Sequence, residues 1–243
     1  METDPHTPLS SGARAGAWLV HAFTATGGVF AILALMAIDR QDWRLAFAWL
    51  GVALVVDGID GSFARRARVK ERAPRIDGSV LDLVIDYLNY VFVPTALIWK
   101  AGLVPEAWAW WLAALIQLAS LYVFARVDMK TEDNYFRGFP GLWNVVALYL
   151  FAAQPGPLAG AVIVLVLVIL SFAPIHFVHP FRVRDYGNWL PALATAWAAA
   201  TGAMLWPGWP PAAQGALFAV SAVTAVLIVL LGLLRTVRGP KAS

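Results

Sequence analysis

The chain alternates long apolar runs with short segments rich in charge, proline and glycine. The apolar runs occupy residues 17–38, 43–64, 79–99, 107–126, 139–154, 158–175, 188–206 and 212–234. A hydrocarbon core of about 30 Å takes about 20 apolar helical residues to cross, so each run reads as one span or nearly one. Pro155, Gly156 and Pro157 supply the tight break between the fifth and sixth runs. The pattern predicts an all-α polytopic membrane protein with about eight transmembrane helices. A single domain over 17–236 leaves 1–16 and 237–243 as short tails.

Composition sharpens this picture. Sixty per cent of the residues are hydrophobic and 14% are charged, against about a quarter charged in soluble domains. Cysteine is absent, which excludes disulfides and thiolate metal sites and leaves oxygen or imidazole to hold any metal. The net charge of +3 does not point to nucleic acid, because the basic residues lie in loops between apolar runs. Arg14; Arg65, Arg66, Arg68, Lys70, Arg72 and Arg75; Arg126, Lys130 and Arg137; Arg182 and Arg184; and Arg235, Arg238 and Lys241 fall on one side of an eight-span arrangement. Only Arg40, Arg44 and Lys100 fall on the other. The positive-inside rule then places both termini in the cytoplasm. Trp43, Trp99, Trp108, Trp110, Trp111, Trp206 and Trp209 gather at the opposite ends of the spans, as interfacial anchors do.

The chemistry concentrates at two neighbouring helix ends. Asp57-Gly-Ile-Asp60-Gly61-Ser-Phe-Ala64-Arg65 closes the second run, and Gly78-Ser-Val-Leu-Asp82-Leu-Val-Ile-Asp86 opens the third. At about 100° per residue, Asp57 and Asp60 share one helix face, and so do Asp82 and Asp86. Four carboxylates converging near hydrocarbon repel one another unless they are paired or metal-bound. Oxygen-only ligation favours Mg²⁺ or Mn²⁺ over zinc, and a pair of such ions can clamp the two oxygens of a phosphoryl transfer. Gly61 and Gly78 leave room for a bulky substrate near the backbone, and Arg65 can pair with a phosphate. A secondary transporter also uses intramembrane carboxylates, but with internal repeats and sites near the midplane. Here the carboxylates lie at one rim and no repeat is visible.

The order Asp57-x-x-Asp60-Gly61-x-x-Ala64-Arg65, then Gly78-x-x-x-Asp82-x-x-x-Asp86, resembles the signature of the CDP-alcohol phosphatidyltransferases, with every position filled. The link between Arg65 and Gly78 is longer than in most members. The runs Pro74–Pro94, Glu132–Asn144 and Phe177–Arg184 are similar to the bacterial phosphatidylcholine synthase branch of that family. The resemblance implies an inner-membrane enzyme, its site facing the cytoplasm, that transfers a phosphatidyl group from CDP-diacylglycerol to choline and releases CMP. It implies Asp57, Asp60 and Asp82 as metal ligands and Asp86 as base and further ligand. Gly61, Ala64, Arg65 and Gly78 fall at the nucleotide-lipid positions, and a homodimer is the family's expected assembly. Another alcohol, such as serine, glycerol phosphate or inositol phosphate, is the alternative acceptor.

Choline's trimethylammonium group offers no N–H, so aromatic faces must bind it, within about 6 Å of the cation. Tyr90 shares the helix face of Asp86, Tyr87 follows Asp86 directly, Tyr135 and Trp143 flank the Phe136-to-Pro140 turn, and Glu132 is the candidate counter-charge. His179, Arg182 and Arg184 are candidates for a phosphate at the rim, although the positive-inside loop is the better account of the arginines. His21, His176 and Asn144 read as satisfied polar residues rather than ligands.

Overall fold

A computed structural model describes residues 11–240, so residues 1–10 and 241–243 of the expected tails lie outside the described residues. Its elements in chain order are α1 (Ser11–Asp39), α2 (Trp43–Arg66), α3 (Val69–Arg72), α4 (Gly78–Tyr87), α5 (Val93–Lys100), α6 (Glu106–Ala125), β1 (Tyr135–Arg137), α7 (Trp143–Ala153), α8 (Pro157–Leu170), β2 (His176–Val178), α9 (Trp189–Leu205) and α10 (Pro211–Arg238). Each predicted apolar run contains a helix. Residues 11–16, expected as tail, already belong to α1.

Among the described residues, five helical units are long and apolar enough to cross a bilayer: α1, α2, the continuous stretch Gly78–Lys100, α6 and α10. The protein is thus an all-α polytopic membrane protein in its bulk. The remaining runs form α7, α8 and α9, of 11, 14 and 17 residues. At about 1.5 Å per residue, α7 rises only about 17 Å, roughly half the hydrocarbon thickness. The fifth run was expected from residue 139, but Gly138 and Gly141 hold φ of +77° and +75°, a left-handed backbone that delays the helix to Trp143. The sixth run stops at Leu170 rather than 175.

The segments just outside these two runs pair with one another. β1 and β2 run antiparallel with Tyr135 opposite Val178, Phe136 opposite Phe177 and Arg137 opposite His176. Lys130 bridges to Phe136 on the other edge of β1, and Asn134 turns the chain with φ +67°. This small sheet, absent from the sequence reading, seats on the end of α10. There a Cβ added to Gly232 would lie 2.5 Å from the His176 carbonyl oxygen, so only glycine lets the strand approach the helix so closely.

The third span is not uniform. Pro94 has no N–H to donate four residues back, and the helix answers with a π turn over Leu88–Phe92 in which the Val93 N–H reaches the Leu88 carbonyl. Asn89 Nδ2 donates to the Ile85 and Gly27 carbonyls at 3.0 Å each, tying this turn to α1. Gly27 itself sits so tightly on Ile85 that any Cβ there would collide. Helix α1 packs through a face of Ala17, His21, Thr24, Gly27, Ala31 and Ala34, a spacing of three and four that keeps small or polar residues inward.

Candidate active site

The two acidic helix ends meet because the link between them is itself folded. After α2, Arg68 takes a left-handed φ of +48°, and α3 buries Val69, with Ala73 beyond it, against Ala17 of α1. This uses the long link to turn the chain back. Asp77 then starts α4 as its N-cap, its Oδ1 accepting from the Ser79 N–H at 2.9 Å and the Val80 N–H at 3.3 Å. The Ser79 donors hold the Asp77 carboxyl below the ordinary carboxylate range. With the start of α4 fixed, Asp82 and Asp86 face α2 on successive turns.

One carboxylate oxygen from each of Asp57, Asp82 and Asp86 lies within 4.8 Å of the others. Asp86 and Asp57 are within hydrogen-bonding reach of each other. Three hard oxygen donors so close together, in partly buried surroundings, suit a divalent cation and suit little else without sharing protons. Asp60 stands outside this triad. It is buried, and its Oδ2 accepts from the Thr24 hydroxyl at 2.8 Å, while remaining in electrostatic reach of Asp82 and Asp86.

Several neighbours hold this arrangement. The Tyr90 hydroxyl donates to Asp57 Oδ2 at 2.6 Å, fixing the carboxylate that α2 contributes. Thr24 does the same for Asp60, and the sequence reading missed it; the available signal was a hydroxyl one turn from His21 on the small-residue face of α1. Gly78 has a packing reason of its own, since an added Cβ would stand 3.1 Å from the His21 ring. The Arg65 guanidinium folds back to the Ser62 hydroxyl at 3.0 Å on an exposed turn, beside Gly61. Ala64 packs with Val20 and Ala67 against the Ala17, Val69 and Ala73 cluster.

The expected aromatic cage does not assemble as a set. Tyr90 reaches the aspartates. Tyr87 instead turns its hydroxyl to the Gln117 side chain at 2.8 Å. Trp143 is fully buried in the main core and donates its Nε1–H to Ser120 at 2.8 Å. Tyr135 is buried in a separate cluster with Val178, Val183 and Leu190, its hydroxyl donating to Asp185. Glu132 is exposed on the turn before β1. The reason is the strand: side chains alternate faces along β1, so Tyr135 points to the α10 side and its neighbour Phe136 to the other.

That other face carries a cationic group. Phe136 stacks on His179 with ring centroids 5.6 Å apart and planes 7° apart, and Lys130 Nζ lies 4.9 Å from the Phe136 centroid. Lys130 and Arg182 act electrostatically on Asp82, and Lys130 is also in reach of Asp86 and Asp57. The small sheet and its flanking loops thus set positive charge beside the carboxylates. Lys130 also lines an open pocket of about 390 Å³ with Ser79, Leu83, Phe124 and Met129.

No protein-family model matches this chain, but named relatives do. A phosphatidylcholine synthase of Pseudomonas aeruginosa is 44% identical over 199 residues, covering 82% of this chain and 82% of that protein. The chain belongs to the phosphatidylcholine synthase family. A phosphatidylcholine synthase of Bradyrhizobium diazoefficiens is 48% identical over 170 residues, 70% of this chain and 64% of that protein, and that of Borreliella burgdorferi is 37% identical over 70% of this chain and 72% of that protein.

Proposed function

We propose that this chain transfers the phosphatidyl group of CDP-diacylglycerol to choline, giving phosphatidylcholine and CMP. The observation that carries the proposal is the convergence of Asp57, Asp82 and Asp86 within 4.8 Å, in a chain that shares a family with phosphatidylcholine synthases. The choline oxygen attacks the phosphorus that bears diacylglycerol, the bond from that phosphorus to the CMP oxygen breaks, and the hydroxyl proton passes to Asp86. A carboxylate is a weak base for an alcohol, so positioning carries much of the rate. Asp57, Asp60, Asp82 and Asp86 would hold the divalent metal, Mg²⁺ or Mn²⁺ as a pair of ions, which would supply positive charge to offset that on the phosphate oxygens. Gly61, Ala64 and Arg65 flank the nucleotide, and Gly78 lets α4 begin close to α1.

Tyr90 carries the choline proposal, because it alone of the expected aromatics touches the acidic cluster. The site faces the cytoplasm of a bacterial inner membrane, a reading supported by the one-sided distribution of Lys and Arg. The chain works as a homodimer by family expectation. Purified protein given CDP-diacylglycerol with choline, serine, glycerol phosphate or inositol phosphate tests the reading. Phosphatidylcholine and CMP are expected with choline alone, and neither after EDTA. Product with serine in place of choline, or full turnover in EDTA, would refute it.

A further inference from the structure

Lys130, Arg182 and His179 form a cationic wall beside the acidic triad, and among the described residues no carboxylate forms an ion pair with it. Among the described residues the ion pairs are Arg126 with Asp128 and Arg235 with Asp133, and neither Lys130 nor Arg182 takes part in one. His179 Nδ1 is buried without a hydrogen-bond partner. Burial first, then the charges of Lys130 and Arg182, push the His179 imidazole down to about 4, so it is neutral at physiological pH. A neutral ring keeps one N–H to donate.

The wall is held stiffly. Phe136 spaces Lys130 from His179 by stacking on one and lying under the other. On the opposite face of β1, Arg235 of α10 lies over the Tyr135 ring at 5.5 Å and pairs with Asp133 at 2.7 Å. Thr236 accepts the His176 N–H at 2.7 Å. The end of α10 therefore fixes both strands, whose flanking loops carry Lys130, His179 and Arg182.

The sign of this wall decides which substrate it serves. Choline bears a permanent positive charge, which two unpaired cations repel; a diphosphate bears negative oxygens beyond those a cation on the aspartates can balance. We propose that Lys130 and Arg182, with His179 Nδ1, bind phosphate oxygens of the nucleotide lipid and of the departing nucleotide monophosphate. This rests on the phosphatidyl-transfer reading above and adds to it a wall that the helical signature does not contain. Charge-assisted hydrogen bonds from planar Arg and compact Lys groups are the ordinary means of such recognition.

The test uses full-length protein in detergent with Mg²⁺ and CMP as the probe. Lys130→Met and Arg182→Ala are expected each to weaken CMP binding about tenfold. Each should raise the KM for CDP-diacylglycerol by a similar factor, with the KM for choline unchanged or lower. Added NaCl should weaken CMP binding to the parent more steeply than to either variant, and Lys130→Arg should restore most of the affinity. Melting curves select variants that fold. Folded variants that bind CMP as tightly as the parent, or that lose choline instead, overturn the wall. A parent that makes no phosphatidylcholine while both variants still lose CMP would sink the choline reading and leave the wall standing.

Discussion

The carboxylates and the cations meet in one site, yet the elements that carry them are secured in different ways. Asp57, Asp82 and Asp86 stand on two long helices whose own backbone bonds fix their spacing, joined by a link that includes α3. Lys130, Phe136, His179 and Arg182 stand on loops and three-residue strands that have little stability of their own and lean on α10. A short strand pair is marginal in isolation. The acidic side should therefore fail through chemistry with its fold intact, whereas the cationic side should fail through its fold first.

The largest effect belongs to the acidic side. Asp57→Ala, Asp82→Asn and Asp86→Asn are each expected to lower phosphatidylcholine formation by about 10³-fold or more. Without divalent metal, Asp82→Asn should melt higher than the parent, because it removes one of three like charges gathered within 4.8 Å. An Asp82→Asn protein that melts well below the parent in EDTA would mean that the carboxylate is structural.

On the cationic side, the corresponding break is steric. Gly232→Ala places a Cβ 2.5 Å from the His176 oxygen and 2.9 Å from the Phe177 Cα, both backbone atoms that cannot move alone. Overpacking of this kind costs about 1–3 kcal/mol, which outweighs the helix-propensity gain of up to about 1 kcal/mol for alanine over glycine. Lower stability and a raised KM for CDP-diacylglycerol should appear together. Gly202→Ala in α9, where a Cβ would meet nothing within 4 Å, keeps only the propensity gain and should be neutral or stabilising.

The same contrast explains what could be read in advance. The aspartates were legible because helical periodicity converts a spacing of three or four into a shared face, and the two helices that carry them are consecutive in the chain. Their protein donors were legible only in part: Tyr90 follows Asp86 by one turn, whereas Thr24 reaches Asp60 from a helix whose pairing no local pattern reveals. The sheet was hidden because Tyr135 and Val178 are far apart in sequence and three residues carry no periodicity. Once β1 exists, it sends Tyr135 and Phe136 to opposite faces, which is why Tyr135 joins the α10 side and Phe136 the cations. Trp143 was a candidate for the choline cage from its place beside the Pro140 turn, yet delayed helix entry at Gly141 puts it in the core. The π turn had a visible cause in Pro94, but the choice between a kink and a wide turn depends on Asn89 meeting α1.

A smaller effect separates the two roles of Tyr90. Tyr90→Phe keeps the ring and removes the hydroxyl that donates to Asp57. Loss of a hydrogen bond to a ligating carboxylate typically costs 10- to 100-fold in metal affinity, and with the other ligands unaffected the expected loss is at the lower end, about tenfold. The Mg²⁺ concentration for half-maximal activity should rise while the KM for choline holds. Tyr90→Leu should raise both. A choline KM that rises in Tyr90→Phe would place the hydroxyl, not the ring, against the acceptor.

The smallest effect is a pH dependence confined to the cationic side. His179 is held near 4 in the fold by burial and by Lys130 and Arg182, against about 6.5 when unfolded. The unfolded chain therefore binds the extra proton first as pH falls, so the stability tied to a neutral His179 is complete above about 6.5 and is lost progressively down to about 4. Between pH 7 and pH 5.5 this amounts to about 1 kcal/mol, measured without nucleotide, since a bound phosphate would favour the charged ring and shrink the effect. His179→Gln keeps a donor in the same place but cannot titrate. The difference in stability between parent and variant should narrow by that amount, in the variant's favour, as pH is lowered over this range. A difference that stays constant would mean that His179 is already open to water, and that the stack on Phe136 does not close the wall. Adding CMP at pH 5.5 should then restore the parent's stability more than the variant's, because only the histidine can gain a charge to meet the phosphate.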